Sequence, residues 1–239
     1  MFQIFWRILL MITIIALFHF LPTPQTSTAI TTEYQQTVWE LQLQQKDLQK
    51  AYGRSWTQVT QNKVIDSARQ HIFDKIKNQL YPHWKGTRWA YSGTTETPRQ
   101  GKIACGYFVS TLLRDVGFEL ERVKLAQQAS EKIVKTFASE EDIKRFRNKS
   151  IKTFVKEVIA MGDGLYIVGL DTHVGMMLVE NGKAQFVHSA KSLLSGVRAE
   201  NPLKSKVLKK SKYRIVGKAL SDEVILKWLK GQKVKTYLQ

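Results

Sequence analysis

Gly162-Asp-Gly-Leu-Tyr-Ile-Val-Gly169 and His173-Val-Gly-Met-Met-Leu-Val-Glu-Asn-Gly-Lys-Ala-Gln-Phe-Val-His188 are the stretches whose reading decides the fold. Two apolar runs flank Asn181-Gly182, the strongest short hairpin signal, normally a type I′ turn. With that turn Glu180 faces Lys183, and counting back sets Gly175 opposite His188. Strand side chains alternate, so His173 and Gly175 point to one face. His188 shares that face, diagonal to His173, at a Cα separation of about 7–8 Å that lets one imidazole reach the other. Gly175 between them leaves room for both rings.

Working outward, Leu165 to Gly169 reads as a strand before this hairpin and Tyr213-Arg-Ile-Val216 as one after it. Ser221 caps a closing helix from Asp222 to Leu229, with acidic residues in its first turn. Upstream, Ile103-Ala-Cys-Gly-Tyr-Phe-Val-Ser-Thr-Leu-Leu-Arg-Asp-Val-Gly117 is helical: Phe108, Leu112 and Val116 share a face, and Gly117 stands at the C-cap. Residues 119–160 read as charged helices with a polar break at Asn148-Lys149-Ser150. Residues 33–80 give one helix marked by Val38, Leu41, Leu43 and Leu48 and broken at Gly53. A second runs from about Thr57 to Leu80, ended by Pro82. Helices followed by strands predict an α+β fold with an antiparallel sheet.

The 239 residues are 43% hydrophobic and 24% charged, which suits one medium domain with an appendage and excludes wholesale disorder. A single cysteine excludes a disulfide framework and any multi-cysteine zinc site. The formal net charge of +17 favours polyanionic partners. Residues 201–239 carry eleven Lys/Arg against Asp222 and Glu223. Met1 to Thr32 hold one charged side chain, Arg7. The apolar run Ile8 to Leu21, stopped by Pro22 and Pro24, suits a secretory signal, and Ser27-Thr28-Ala29 offers a small-residue cleavage point. Counting Phe2, Ile4, Phe5 and Trp6 as well gives enough length for an uncleaved anchor. Either way the sequence predicts export to the periplasm or cell envelope, with residues 1–21 as a membrane attachment if they are retained. Export, and the lack of an RNA or DNA motif, argue against nucleic acid.

In an exported chain an unpaired cysteine is either buried and inert or kept for its reactivity. Cys105 opens a helix, where backbone N–H groups and the helix dipole favour a thiolate and can hold an oxyanion. His173 opens an apolar strand, and a base histidine oriented by a second polar ring, His188, is an arrangement thiol nucleophiles use. Each also has a structural reading: Cys105 as a small hydrophobe, His173 and His188 as strand-end residues.

The blocks Ile103-Ala-Cys-Gly-Tyr-Phe-Val109, Gly162 to Val168, His173 to Leu178 and Phe186-Val-His-Ser-Ala190 resemble the NlpC-type cell-wall cysteine peptidases of the papain-like superfamily. The likeness spans roughly residues 84–190. It implies a papain-like core whose cysteine helix packs on an antiparallel sheet, with Cys105 as nucleophile, His173 as base and His188 as orienter. It also implies peptidoglycan peptide bonds as substrate, and no metal or organic cofactor. A tyrosine that donates on the oxyanion side in that family aligns with Trp89, and Tyr91 lies two residues on. Trp89, Tyr91 and Tyr107 are therefore the substrate-binding candidates, with packing as their other use. The expected organisation is a signal or anchor over 1–29, a helical region over 30–82 and a catalytic domain over 83–219 with a helical insertion at about 119–160. A basic helix and tail follow over 220–239. An acyltransferase or lipid amidase on the same scaffold, and a non-catalytic protein that binds an anionic envelope polymer, are the alternatives.

Overall fold

A computed structural model describes residues 27–191 and 196–238. The apolar run before Pro22 lies outside them, and Ser27 to Ala29 begin the first helix. No helix among the described residues is long and apolar enough to cross a membrane.

The protein is α+β. Its sheet of six strands has the order β1-β6-β2-β3-β4-β5, every neighbouring pair antiparallel. The strands are β1 (Ile143–Arg147), β2 (Gly164–Leu170), β3 (Val174–Glu180), β4 (Lys183–Ala190), β5 (Gly196–Glu200) and β6 (Tyr213–Lys218). The β3–β4 hairpin has the expected register, Glu180 against Lys183 and Met176 against Val187. Asn181 and Gly182 both have positive φ (51° and 68°), the backbone a type I′ turn demands. Asp163 accepts the Asn181 N–H at 2.8 Å, so it holds this turn rather than the entry to its own strand.

Both faces of the sheet are covered. On one, Val174, Met176, Leu178, Val187 and Ile215 pack with helix α4 (Cys105–Asp115), helix α6 (Ser130–Phe137) and the terminal helices. On the other, Tyr166, Val168, Met177, Phe186 and Val216 pack with α7 (Ile151–Ala160) and α8 (Lys206–Lys210). A sheet buried on both faces explains why β2 and β3 read as nearly continuous apolar runs.

The N-terminal and C-terminal helices share the first of these cores. Helix α1 (Ser27–Gly53) buries Tyr34 and Leu41, while Leu43 faces outward. Helix α2 (Gln58–Lys75) begins in a capping box between Thr57 and Thr60 and buries Ile65, Ala68, Ile72 and Phe73. Helix α9 (Asp222–Leu229) contributes Val224, Ile225, Trp228 and Leu229. Tyr34 ties α1 to α4: its hydroxyl donates to Asp115 Oδ2 at 2.5 Å and accepts from Trp84 Nε1 at 2.8 Å.

Two expectations are corrected. Pro82 does not end the second helix. A π-turn over Ile76–Leu80 resets the backbone, and the chain continues as α3 (Tyr81–Trp84) with Pro82 in its first turn, where a missing N–H costs nothing. Residues 119–160 are not wholly helical either. After α5 (Arg122–Ala126) and α6, Ile143-Lys-Arg-Phe-Arg147 forms the edge strand β1 with Ile143 and Phe146 buried. Their three-residue spacing imitates a helix, and the cations between them suit an exposed sheet edge.

Tyr34→Phe removes the hydroxyl that serves both Asp115 and the buried Trp84 N–H. Loss of about 1–3 kcal/mol of stability is expected by urea denaturation, with the m value unchanged. A loss under about 0.5 kcal/mol would show that this contact does not dock α1.

Candidate active site

Cys105 is the first residue of α4. The loop before it folds back on itself: Ile103 N–H donates to Arg88 O at 2.9 Å and Ala104 N–H to Gly93 O at 2.8 Å. Gly93 has to be glycine, since a Cβ there would lie 2.6 Å from the Lys102–Ile103 peptide. Ala104 then enters the helix with extended backbone. Gly106 is constrained from the far side, because its Cβ would lie 2.2 Å from the carbonyl oxygen of Ala126, at the end of α5. The turn that carries Cys105 is thus gripped between loop and helix.

Cys105 is half-buried and opens with His173 onto one cleft of about 530 Å³. The cleft is lined by Gly106, Ala126, Ser130, Glu131 and Ile133, by Leu170, Asp171, Thr172 and Val174, and by Arg147 and Tyr213. The backbone N–H of Val174, one residue beyond His173, lies where it favours a charged Cys105 sulfur. Asp171 secures the turn that carries His173. Its carboxylate accepts from Ser211 Oγ at 2.9 Å, Lys212 N at 2.8 Å and Tyr213 N at 3.1 Å, and Leu170 N–H reaches His173 O at 2.8 Å.

His173 stands just before β3 and meets His188 of β4, with Nε2 and Nδ1 2.9 Å apart and the ring planes 86° apart. His188 is fully buried and lies against Phe186, ring centroids 4.4 Å apart. Gly175 does leave the room: a Cβ there would come within 2.7 Å of the Phe186 ring and 2.9 Å of His188 Cβ.

Beyond His188 comes a residue that the motifs did not single out. His188 Nε2 lies 3.1 Å from Glu200 Oε1, and Glu200 Oε2 lies 3.2 Å from Arg198 Nε. Both atoms are buried and neither makes a well-aligned hydrogen bond among the described residues, so this contact is a close approach of carboxylate to ring nitrogen. Both Glu200 and Arg198 come from β5, where Arg198 pairs with His188 across the ladder. The alternation of Val197 and Ala199 with Arg198 and Glu200 is the period-two signal that marks this short strand.

Charge is disfavoured on the two central groups. Burial raises the Cys105 thiol above its ordinary value, although the N–H groups of Val174, Gly106 and Cys105 itself pull the other way. Burial also drives His173 down to about 3, reinforced by His188 and Arg198. His188 is lowered by burial as well. Glu200 is the opposite case: its contacts with His188, Ser205 and Arg198 outweigh burial and hold it at about 2. At neutral pH the resting site is therefore a thiol, two neutral imidazoles and a carboxylate. The thiolate that a helix N-terminus would favour does not form at rest, because desolvation exceeds the help from three N–H groups.

The aromatic candidates are not brought to this cleft. Tyr91 is 90% exposed on its loop. Trp89, on the same loop, is half-buried and absent from the cleft wall. Tyr107 packs under Arg122, whose guanidinium carbon is 5.0 Å from the ring centroid, and Gln127 reaches its hydroxyl at 3.4 Å. His83 hydrogen-bonds Thr37 on α1, away from the cleft. His71 sits beside Trp228. Among the described residues no cluster of His, Cys, Asp or Glu is arranged to hold a metal ion.

Comparison with protein-family models, curated proteins and solved structures finds no match to this chain.

A neutral thiol has a measurable signature. Iodoacetamide labelling of Cys105 in the resting protein should climb only above pH about 8.5, the ordinary thiol value. A rate already at its plateau by pH 7 would mean a standing thiolate. The imidazole makes a stability prediction. The unfolded chain takes up a proton on His173 below its ordinary 6.5, whereas the folded protein resists down to about 3. Its contribution is full above pH 6.5 and drains away as pH falls toward 3. Glu200 acts in the same direction below 4.5. Wild type should therefore lose more denaturation free energy from pH 7 to pH 4 than His173→Asn does; equal losses would refute the buried neutral imidazole.

Proposed function

We propose that the protein is an exported cysteine hydrolase of papain-like type that cleaves amide bonds in peptidoglycan peptides, as the NlpC-type resemblance implies. The observation that carries this reading is one cleft that takes in both Cys105 and His173, with His173 Nε2 2.9 Å from His188 Nδ1. A nucleophile beside a base, and the base held by a third polar group, is the arrangement that nucleophilic acyl transfer requires.

In this reading the substrate carbonyl binds next to Cys105. His173 removes the thiol proton as sulfur attacks the carbonyl carbon, which avoids a separated charge pair before substrate arrives. Backbone N–H groups at the start of α4 receive the oxyanion. The intermediate collapses with loss of the amine, to which imidazolium gives its proton. Water, deprotonated by His173, then opens the thioester, releasing the carboxylic acid and restoring the thiol.

The cleft can seat a peptide. Ser130, Glu131, Arg147, Asp171 and Thr172 bring polar groups to a wall that also holds the apolar Ala126, Ala129, Ile133, Leu170 and Val174. Both acids are already engaged, Glu131 by the Tyr213 hydroxyl at 2.9 Å and Asp171 by the contacts at its turn. Arg147 stacks on the Tyr213 ring at 4.8 Å and has no ion-pair partner among the described residues. A guanidinium so placed suits a carboxylate of a stem peptide. The formal charge of +17 is in keeping with an anionic envelope polymer.

Purified muropeptides incubated with the protein should be cleaved, and Cys105→Ala and His173→Ala should each remove that cleavage while near-UV circular dichroism stays native. Acyl-ester substrates run alongside separate the acyltransferase and lipid amidase readings. Full activity in either variant would end the proposal. Muropeptide binding without cleavage by the wild type would leave a non-catalytic envelope-binding protein.

A further inference from the structure

We infer that Glu200 is a positioning residue that fixes the tautomers of both active-site imidazoles and leaves Nδ1 of His173 as the basic nitrogen. Its catalytic meaning rests on the hydrolase reading; the tautomer assignment does not.

The inference follows the protons along the chain of contacts. An ionised carboxylate donates no hydrogen bond and repels a bare ring lone pair 3.1 Å away, so the His188 Nε2 that faces Glu200 carries the proton even though its N–H is not aligned on Oε1. A neutral imidazole has one N–H, which makes His188 Nδ1 an acceptor. The nitrogen 2.9 Å from it, His173 Nε2, is then the donor. His173 is neutral too, so its remaining nitrogen, Nδ1, keeps a free lone pair. Each step is forced by the one before, and the sequence starts at the carboxylate.

Glu200 can play this part because its charge is locked in place. Arg198 Nε lies against Oε2, and Arg198 Nη1 is itself tied to Ala190 O and Gly196 O, both at 3.3 Å. The fully buried Ser205 also favours the charged carboxylate. The carboxylate is thus held from one side and presents the other to His188. No group of the resemblance or of the cleft supplies this role, and the Glu200 side chain does not line the cleft that holds Cys105.

Glu200→Gln gives a directional test. Arg198 keeps the amide oxygen, so the amide NH₂ turns to His188 Nε2 and forces that nitrogen to accept. The His188 proton moves to Nδ1, and His173 has to accept there and carry its own proton on Nδ1, the wrong nitrogen for a base. With ring-¹⁵N histidine in the full chain at pH 7, long-range ¹H–¹⁵N correlation reads which nitrogens are protonated. Wild type should show Nε2–H in both His173 and His188, and Glu200→Gln should show Nδ1–H in both. Muropeptide turnover by Glu200→Gln should fall about 10²- to 10⁴-fold; the like exchange behind the histidine of serine peptidases lowers kcat by about 10⁴ through the wrong tautomer.

A wild-type spectrum with the proton on Nδ1 of either ring overturns the inference, as does a Glu200→Gln protein with unaltered tautomers or unaltered turnover. Should the variant fail to fold, the wild-type spectrum decides alone. Should the wild type cleave no muropeptide, the hydrolase reading falls while the spectra still settle what Glu200 does.

Discussion

The site depends on one constraint, the register of the β3–β4 hairpin. A slip of one residue would carry every side chain of a strand to the opposite face. His188 would then leave His173 and enter the core that covers α4. Register is held at the turn by two residues with positive φ, by Asp163 from the neighbouring strand, and along the strands by apolar layers on both faces. Gly175 shows how closely the rings depend on it. The space between His173 and His188 is what remains when one strand position carries no side chain.

Around that hairpin, burial and charge are set against each other. Removing Cys105 and His173 from water disfavours their ionised forms more than local dipoles favour them. Only Glu200 keeps its charge, because Arg198, Ser205 and His188 together replace the lost solvation. The result is a fixed negative charge at one end of a string of neutral groups. In the proposed hydrolysis, charge that develops on His173 would find a polarised path behind it instead of water. Keeping the pair uncharged spares the folded state a buried ion pair.

What the sequence disclosed and what it hid have physical reasons. The hairpin was legible because Asn181-Gly182 and the apolar runs around it admit few other conformations, and the counting that paired Gly175 with His188 used local geometry alone. The helix that starts at Cys105 was legible for the same reason. β1 was not, since Ile143 and Phe146 sit three apart among cations and satisfy a helical period as well as an edge strand. β5 was hidden by its five-residue length and by a glycine start, and with it Glu200, whose importance comes entirely from a cross-strand partner. The aromatics at 89, 91 and 107 do not line the cleft, because a motif alignment does not say which way a side chain turns; Tyr91 turns into solvent and Tyr107 under Arg122.

The grip on Gly106 has a consequence for ancestry. The carbonyl of Ala126 occupies the place of a side chain at 106, so the residue after Cys105 and the backbone at the end of α5 cannot vary independently. A descendant that acquires serine or alanine at 106 must carry a displaced or shortened segment around 122–129, and with it a differently shaped wall beside the thiol. Among related chains, the identity of this single position should therefore sort with insertions and deletions some twenty residues downstream, a covariation between a letter and a length.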